Sequence, residues 1–540
     1  MGIFAFADHD PAAPSLARGF LESVRSYGDR PALEAGGETL TYEALFEKAA
    51  ALAATLIRHQ SEVCGPPLTA VFASRSTTAF AGVLAALLRG HGYVPLNRAF
   101  PTERTRTMLR RSRCRAVVVD SASEEQLDAI LGGIGEELLI ILPERREAGD
   151  LASRWPKHRF VGTAGLAAPD EWAPAFDSSG PIAYLLFTSG STGTPKGVMV
   201  GPRSVRNYVE FVADYLNVGP EDRFSQTFDL TFDLSASDLF VAWERGACVC
   251  CPSEKMLVNP GRFINKAGLT VWFSVPSVAV FMKRLGVLKP GAFPLLRASL
   301  FCGEALPVEI AASWAAAAPN SVVENFYGPT ELTIACAHYR WNPESAPAES
   351  ARGIVSIGQP FPGMTPLVVD EELREVEPGR EGELLMSGPQ AALGYWNDPA
   401  QTAAAFIKPP ARDDVFYRTG DRVRRPVGNG PMIFLGRIDN QIKVLGHRVE
   451  LGEVEAVVRE ESGVDGVVAL GWPRMDGGAG GVEVFLQAET AACPDLVQKV
   501  ARRLPLYMVP RRIHYLASFP LNANGKFDRN ALIRRLEGMP

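Results

Sequence analysis

Apolar residues fall in short runs along this chain, separated by stretches with helical spacing. PLTAVFAS, near residue 70, gives way to a helical segment that ends near Leu88, and GYVPL, RAVVVD and LLIIL follow, each after another helix-like stretch. Short β-rich runs that alternate with amphipathic segments are the βαβα signature of a parallel sheet covered by helices. The pattern restarts at IAYLLF (182–187) and continues through TVWFS, ASLFC and SVVENF. It predicts an α/β fold: a large N-terminal domain of helix-covered, mostly parallel sheets, with two related sheet subdomains. Near GRIDNQIKV the pattern changes to a helix over 451–461, strands at VVAL and VEVFLQA, a helix over 496–503 and a lysine-bearing loop. That is a small α+β domain. The division expected is 1–437 and 438–540. Residues 475–481 read as a Gly-rich hairpin loop, and no internal repeat or low-complexity tract appears.

Composition narrows the classes. A chain of 540 residues buries a large core without covalent staples. The net charge of −6 comes with no basic block, which excludes the footprint of a nucleic-acid partner. The eight cysteines are scattered apart from Cys248, Cys250 and Cys251, and the apolar run ACVCC that holds those three reads as a buried strand. No CxxC pair recurs at zinc spacing, so reduced thiols are expected rather than metal ligands or disulfides. The N-terminus has no basic region followed by an apolar one, and Phe6 stands where a myristoylation motif needs Ser or Thr. The longest apolar run, 80–88, stops at Arg89, well short of a membrane span. A cytoplasmic protein with no membrane partner is expected.

The sharpest local signal is YLLFTSGSTGTPKGVMV, residues 184–200. An apolar strand runs into a loop rich in hydroxyls and glycine that ends on a lysine. Gly190, Gly193 and Gly197 let backbone N–H groups approach and wrap an anion. Thr188, Ser189, Ser191, Thr192 and Thr194 add hydroxyl donors, and Lys196 adds a mobile positive charge. A Walker A loop is excluded, because Gly197 follows the lysine where Ser or Thr should stand. A plain Gly/Ser turn between elements is the alternative to phosphate binding.

The loop resembles the signature of the adenylate-forming superfamily, which comprises acyl-CoA synthetases, luciferases and adenylation domains of nonribosomal peptide synthetases. Further segments resemble that family's motifs and fall in its order: LTYEAL, GYVPLN, FDLSASD, NFYGPTE, GELLMSG, YRTGD, GRIDNQIKVLGHRVELGEVE, LPLYMVP and NGKFDR. The resemblance covers essentially the whole chain. It implies an ATP-dependent ligase that joins a carboxylate to AMP with release of pyrophosphate, then passes the acyl group to a thiol. Chemistry between anions of this kind needs positioning and charge neutralisation.

The resemblance also implies roles. Lys526, in NGKFDR, would bridge the substrate carboxylate and the α-phosphate; a solvated turn lysine is the bland alternative. Asn325 and Tyr327 would meet adenine, with Phe326 and Gly328 beside them and Gly303, Glu304 and Ala305 on the other side. Thr330 would contact the α-phosphate. Glu331 would be the Mg²⁺ ligand, a hard oxygen for a hard cation. Asp421 would accept the ribose hydroxyls, with Phe434 and Arg437 adding nucleotide contacts. Asp439 falls at the family's hinge position, about which the small domain turns between two half-reactions. In the second pose the loop 443–448, with Lys443 and the flexible Gly446, would line a tunnel for a phosphopantetheine arm.

The substrate pocket carries over by motif as Asp233, Leu234, Ser237, Phe273, Leu300, Cys302, Phe326, Ile334 and Ala335, with Lys526 on the carboxylate. Asp233 matches the aspartate that pairs with the α-amino group in amino-acid-activating members; capping the helix that follows is its alternative role. Most other positions are apolar, and Phe273 and Phe326 are bulky, which suits an alanine-sized or proline-like amino acid. VWFSVPS and LFCGEALP resemble D-alanine–carrier protein ligases, from which Phe273 departs by replacing a small hydroxyl residue. No attachment-serine segment follows Lys526, so a separate carrier protein is the acceptor expected, and the family default is a monomer. An acyl- or aryl-CoA synthetase is the competing enzyme class, against which Asp233 speaks. A nucleotide-sensing module without catalysis is the third reading, against which Lys526, Glu331 and Asp421 speak.

Overall fold

A computed structural model of the chain describes residues 15–59, 65–174, 180–190, 194–346, 348–410, 412–475, 478–488, 493–520 and 527–538. Two large sheets dominate. The first has eight strands, in the order Gly394–Tyr395, Lys196–Val200, Tyr184–Thr188, Gly92–Leu96, Leu68–Phe72, Ala116–Val119, Leu139–Leu142 and Arg159–Gly162. All neighbours from Tyr184–Thr188 onward run parallel, and the two strands at the other end are antiparallel. The second has nine strands, with a parallel centre that includes Val271–Ser274, Ala298–Phe301 and Val322–Tyr327.

Burial of the strands on both faces explains their near-continuous apolar runs. In the first sheet, Val71, Val118 and Ile141 face the core shared with the second sheet. Their neighbours Ala70, Phe72, Val117 and Ile140 join a separate cluster with Met108, Leu109 and Leu127 from covering helices. The helix Thr77–Leu88 buries every residue from Thr78 to Leu88, because its surroundings are apolar all round.

The apolar pattern foresaw these two sheets but not a third. Five antiparallel strands, Thr365–Val369, Glu381–Ser387, Phe406–Ile407, Phe416–Arg424 and Ile433–Arg437, form a sheet of their own. The motifs GELLMSG and YRTGD lie on it. Alternating charged residues along Phe416–Arg424, buried on one face only, broke up the apolar run. Gly436 belongs to this sheet, so the change of unit comes after it, and the next strand is Gln441–Val444.

Beyond that point lie a four-stranded sheet, including Gln441–Val444 and His447–Glu450, and a three-stranded sheet of Val467–Gly471, Val482–Gln487 and Pro510–Leu516. The helix Leu451–Ser462 runs one residue past the expectation, to a left-handed Gly463, and Leu496–Ala501 is two residues shorter than expected. The glycine-rich stretch is a hairpin of Arg474–Met475 and Gly478–Ala479. Cys248–Cys250 is a buried strand, as its apolar run implied. Among the described residues, no helix is long and apolar enough to cross a membrane.

Candidate active site

The ends of the central strands of the second sheet carry most of the predicted residues. Parallel pairing sets Phe273 beside Leu300 and Phe301 beside Asn325. Alternation along the strands then sorts the side chains. Phe273, Leu300, Cys302 and Phe326 face the shared core, while Trp272, Phe301 and Val323 face the opposite cluster. The rings of Phe273 and Phe326 meet edge to face at 6.3 Å between centroids, and Phe228, which no motif indicated, packs on Phe273 at 5.3 Å. The Ser237 hydroxyl lies 2.9 Å from the hydroxyl of buried Tyr208, another residue the sequence did not single out. The wall is therefore aromatic and dry, with the one hydroxyl foreseen already engaged.

Asp233 does not cap its helix. It occupies the N-cap position of Leu234–Trp243, yet its side chain makes no capping bond. Its Oδ2 instead accepts the Ile334 N–H at 3.1 Å. That N–H is presented by two consecutive left-handed residues, Thr333 (φ 56°) and Ile334 (φ 71°). Non-glycine residues adopt this conformation only where their surroundings over-determine it. Gln390 provides that constraint. Fully buried, it donates to the carbonyl of Ala335 at 2.6 Å, and its own carbonyl accepts the Thr333 hydroxyl at 2.6 Å. Burial pushes the Asp233 carboxyl up to about 6, partly offset by the hydrogen bond from Ile334. Among the described residues no cation pairs with it, so an ammonium placed there would return it toward its ordinary acidity.

Phe326 also faces a cavity of about 330 Å³, whose lining includes Gly303, Glu304, Ala305, Asn325, Tyr327, Gly328, Asp421, Phe434, Arg437 and Lys443. All are residues expected to meet the nucleotide or the transfer loop. Asn325 donates its amide to the Ser356 carbonyl at 2.8 Å, and its Oδ1 is buried with no partner. An orphaned amide oxygen at the cavity is suited to an exocyclic amine. Tyr327 donates to Asp421 at 2.5 Å, and Arg437 spans Asp421 (2.6 Å) and Asp439 (2.7 and 2.6 Å). Asp421 and Asp439 are thus joined through one guanidinium. The segment 351–357 forms a wall that no motif marked, lining the cavity with Arg352 and with apolar residues, while its Ser356 carbonyl holds the Asn325 amide.

The hairpin 441–450 lines this cavity with Gln441, Ile442 and Lys443. Gly446 donates its N–H to Oε1 of Glu304 at 2.5 Å, with φ of +84°, and a Cβ there would lie 2.7 Å from Val275. Glycine is required on both counts. Lys443 is half-buried near Asp421, Cys302 and Glu304, and desolvation pushes its ammonium below its ordinary value. A second cavity of about 260 Å³, mostly apolar, runs past Gly446 and His447 to Leu234 and Val275.

Glu331 is fully buried. Its Oε1 accepts the Tyr395 hydroxyl at 2.8 Å and lies 3.3 Å from Lys196 Nζ, and its Oε2 accepts Arg448 Nη1 at 2.8 Å. Burial opposes its charge, but Arg448 and Lys196 outweigh burial and hold the carboxyl well below the usual range. Magnesium does not fit this arrangement. Two cations and a hydroxyl already take the carboxylate, and no cluster of three or more metal-binding side chains occurs among the described residues. Tyr395 and Arg448 were not foreseen as partners of Glu331. Of the phosphate loop, Thr188, Ser189, Gly190 and Lys196 are described, and Thr188 has a buried, unpartnered hydroxyl. Ser191, Thr192, Gly193 and Lys526 lie outside the described residues.

The comparisons with known proteins agree with this architecture. Residues 20–396 match the family described as AMP-binding enzyme. The L-proline--[L-prolyl-carrier protein] ligase of Streptomyces coelicolor is 33% identical over 96% of this chain and 96% of its own length. Tyrocidine synthase 3 of Brevibacillus parabrevis is 32% identical over 95% of this chain, which spans 8% of that much longer protein. Among solved structures, the Vibrio cholerae adenylation domain AlmE in complex with glycyl-adenosine-5'-phosphate superposes with a TM-score of 0.86 and 31% identity, covering 99% of this chain and all of that one. The chain belongs to the AMP-binding enzyme family, and it is a ligase of that class.

Proposed function

We propose that this chain activates a small amino acid with ATP, forming the aminoacyl-AMP and releasing pyrophosphate, and then transfers the aminoacyl group to the phosphopantetheine thiol of a carrier protein. The observation that carries the reading is Asp233: a buried carboxylate, free of capping duty, bonded to Ile334 in the same core cluster as Phe273 and Phe326, the last of which lines the neighbouring cavity. It suits an α-ammonium and disfavours a fatty or aryl acid. The relatives support it: two are named for L-proline and its carrier, and one holds a glycyl adenylate.

In this reading Asn325, Tyr327, Asp421 and Arg437 hold the adenosine. Thr188, Ser189, Gly190, Ser191, Thr192, Gly193 and Lys196 hold the outer phosphates. Thr330 and Lys526 act at the α-phosphate. Phe273 and Phe326 limit the side chain to alanine, glycine or proline size. Residues 1–437 form the binding domain and 438–540 the domain that turns about Asp439. The arrangement described has the hairpin with Lys443 and Gly446 in the cleft, which suits the transfer step; the cavity past Gly446 is the passage for the pantetheine arm. Glu331 becomes accessible to Mg²⁺ when Arg448 withdraws. A monomer in the cytoplasm, without nucleic-acid or membrane partners, completes the proposal.

Amino-acid-dependent exchange of labelled pyrophosphate into ATP tests it, with glycine, D- and L-alanine, L-serine and L-proline, and octanoate and benzoate as controls. Exchange with one small amino acid is expected. Exchange with the two controls alone would replace this reading with an acyl- or aryl-CoA synthetase.

A further inference from the structure

Two of the described donors of the proposed phosphate loop, the Ser189 hydroxyl and the Gly190 N–H, are occupied in this structure. The Gly190 N–H donates to Oε2 of Glu453 at 3.1 Å, and Oε1 of the same carboxylate accepts Arg104 Nη1 at 2.7 Å. The Ser189 hydroxyl donates to the Arg448 carbonyl at 2.9 Å and accepts the Glu450 N–H at 3.3 Å. The four loop and guanidinium contacts therefore end on one stretch, 448–453, which leads from the hairpin into the helix Leu451–Ser462. Glu453 is 1% exposed and Arg104 6% exposed, so the carboxylate is enclosed rather than resting on a surface. Gly190 approaches so closely that a Cβ would lie 2.1 Å from the Thr194 carbonyl oxygen. Two anionic oxygens between a glycine N–H and a guanidinium reproduce the surroundings that a phosphoryl group takes in such a loop.

We propose that Glu453 is a built-in anion of the phosphate loop, and that its carboxylate and the outer phosphates of ATP, or free pyrophosphate, exclude one another. This rests on reading 184–200 as the phosphate loop. Two anions that need the same donors compete, and each repels the other. The hairpin can seat over the cleft only when the loop is free of phosphate, and returning pyrophosphate must expel Glu453 with the whole stretch 448–453. Glu453 touches no reacting atom; it is a positioning residue that ties the transfer arrangement to the departure of pyrophosphate. Arg104 serves both states. It neutralises Glu453 in this arrangement and stays beside the loop to meet a phosphate in the other.

Calorimetric titration of the full chain with inorganic pyrophosphate, without other substrates, tests the exclusion. Removing an internal competitor raises apparent affinity by the reciprocal of the fraction of sites it had left free, so with about one site in ten free Glu453→Gln should bind pyrophosphate roughly tenfold more tightly than the native chain, with Glu453→Asp between them. A residue with a merely structural role would leave that affinity unchanged or lower it, and either result overturns the proposal. Binding to none of the three proteins would overturn the phosphate-loop reading as well. Should Glu453→Gln fail to fold, hydrogen exchange on the native chain decides. Saturating pyrophosphate should speed exchange across 441–453, and bound pyrophosphate with unchanged exchange there refutes the exclusion.

Discussion

The amino-acid side of the cleft and the hairpin that covers it meet their neighbours through different chemistry. Phe273, Leu300, Cys302 and Phe326 come from adjacent strands, are at most 2% exposed and belong to the core shared by the two large sheets. The hairpin and the helix after it reach the same cleft through Gly446 on Glu304, Arg448 on Glu331 and Glu453 on Arg104 and Gly190. A close-packed apolar wall resists displacement, because any shift opens a void. A buried ion pair contributes little net stability against its separated, solvated partners, so a contact built from such pairs can open and close. The first construction suits a fixed shape for recognition, and the second suits an order of events.

The sharpest way to break this comparison is at Asp233, where a charge sits within the fixed wall. Truncating one member of a buried charge pair costs about 2–5 kcal/mol, so Asp233→Ala should lower kcat/KM for the amino acid by roughly two to three orders of magnitude in pyrophosphate exchange. Unchanged selectivity would detach this wall from recognition. On the reversible side, Arg448→Ala leaves Glu331 with only Lys196 and Tyr395. The expected loss is about 3 kcal/mol of the covered arrangement, hence about a hundredfold slower single-turnover transfer from adenylate to thiol, with pyrophosphate exchange much less affected. Equal losses in both steps would mean that the hairpin does not separate them.

Gly446→Ala probes the same hairpin more gently. A side chain at φ +84° costs about 1–2 kcal/mol, and contact with Val275 adds to it, so transfer should slow by roughly ten- to thirtyfold while adenylate formation is spared. The smallest effect is in pH. Protonation of Asp233 below about pH 6 removes the partner of the ammonium, so the KM for the amino acid should rise about tenfold per pH unit in that range. A carboxyl at about 6 when folded and about 3.9 when unfolded binds more protons in the native state between those values. Stability without substrate therefore falls as pH rises through that window, by about 3 kcal/mol in all, and Asp233→Asn should raise Tm at pH 7 while losing the amino acid. A lower Tm would show that the carboxylate helps hold the fold.

Particular residues show how far the sequence carried. The two large sheets were legible because strands buried on both faces leave continuous apolar runs, as in Leu139–Leu142 and Ala116–Val119. The third sheet was not, because Phe416–Arg424 alternates buried and exposed residues and resembles a polar linker. Motif residues from Gly303 to Arg437, far apart in the chain, line one cavity. Gln390, Tyr395, Phe228 and Tyr208 carry no motif, since each acts by where the fold delivers its side chain.

By itself, the sequence determined the family, the layered α/β architecture and the residue types at the site, since glycine loops, aromatic walls and isolated carboxylates record their chemistry in local composition. Only the tertiary structure showed that Asp233 does not cap its helix, because its carboxylate is held instead by the strained turn at Thr333 and Ile334, about a hundred residues away. It also decided what faces Glu331 and the phosphate loop, because Arg448 and Glu453 come from a unit whose contacts depend on its placement. Long-range polar pairing leaves no periodic trace in a chain, and geometry alone reveals it.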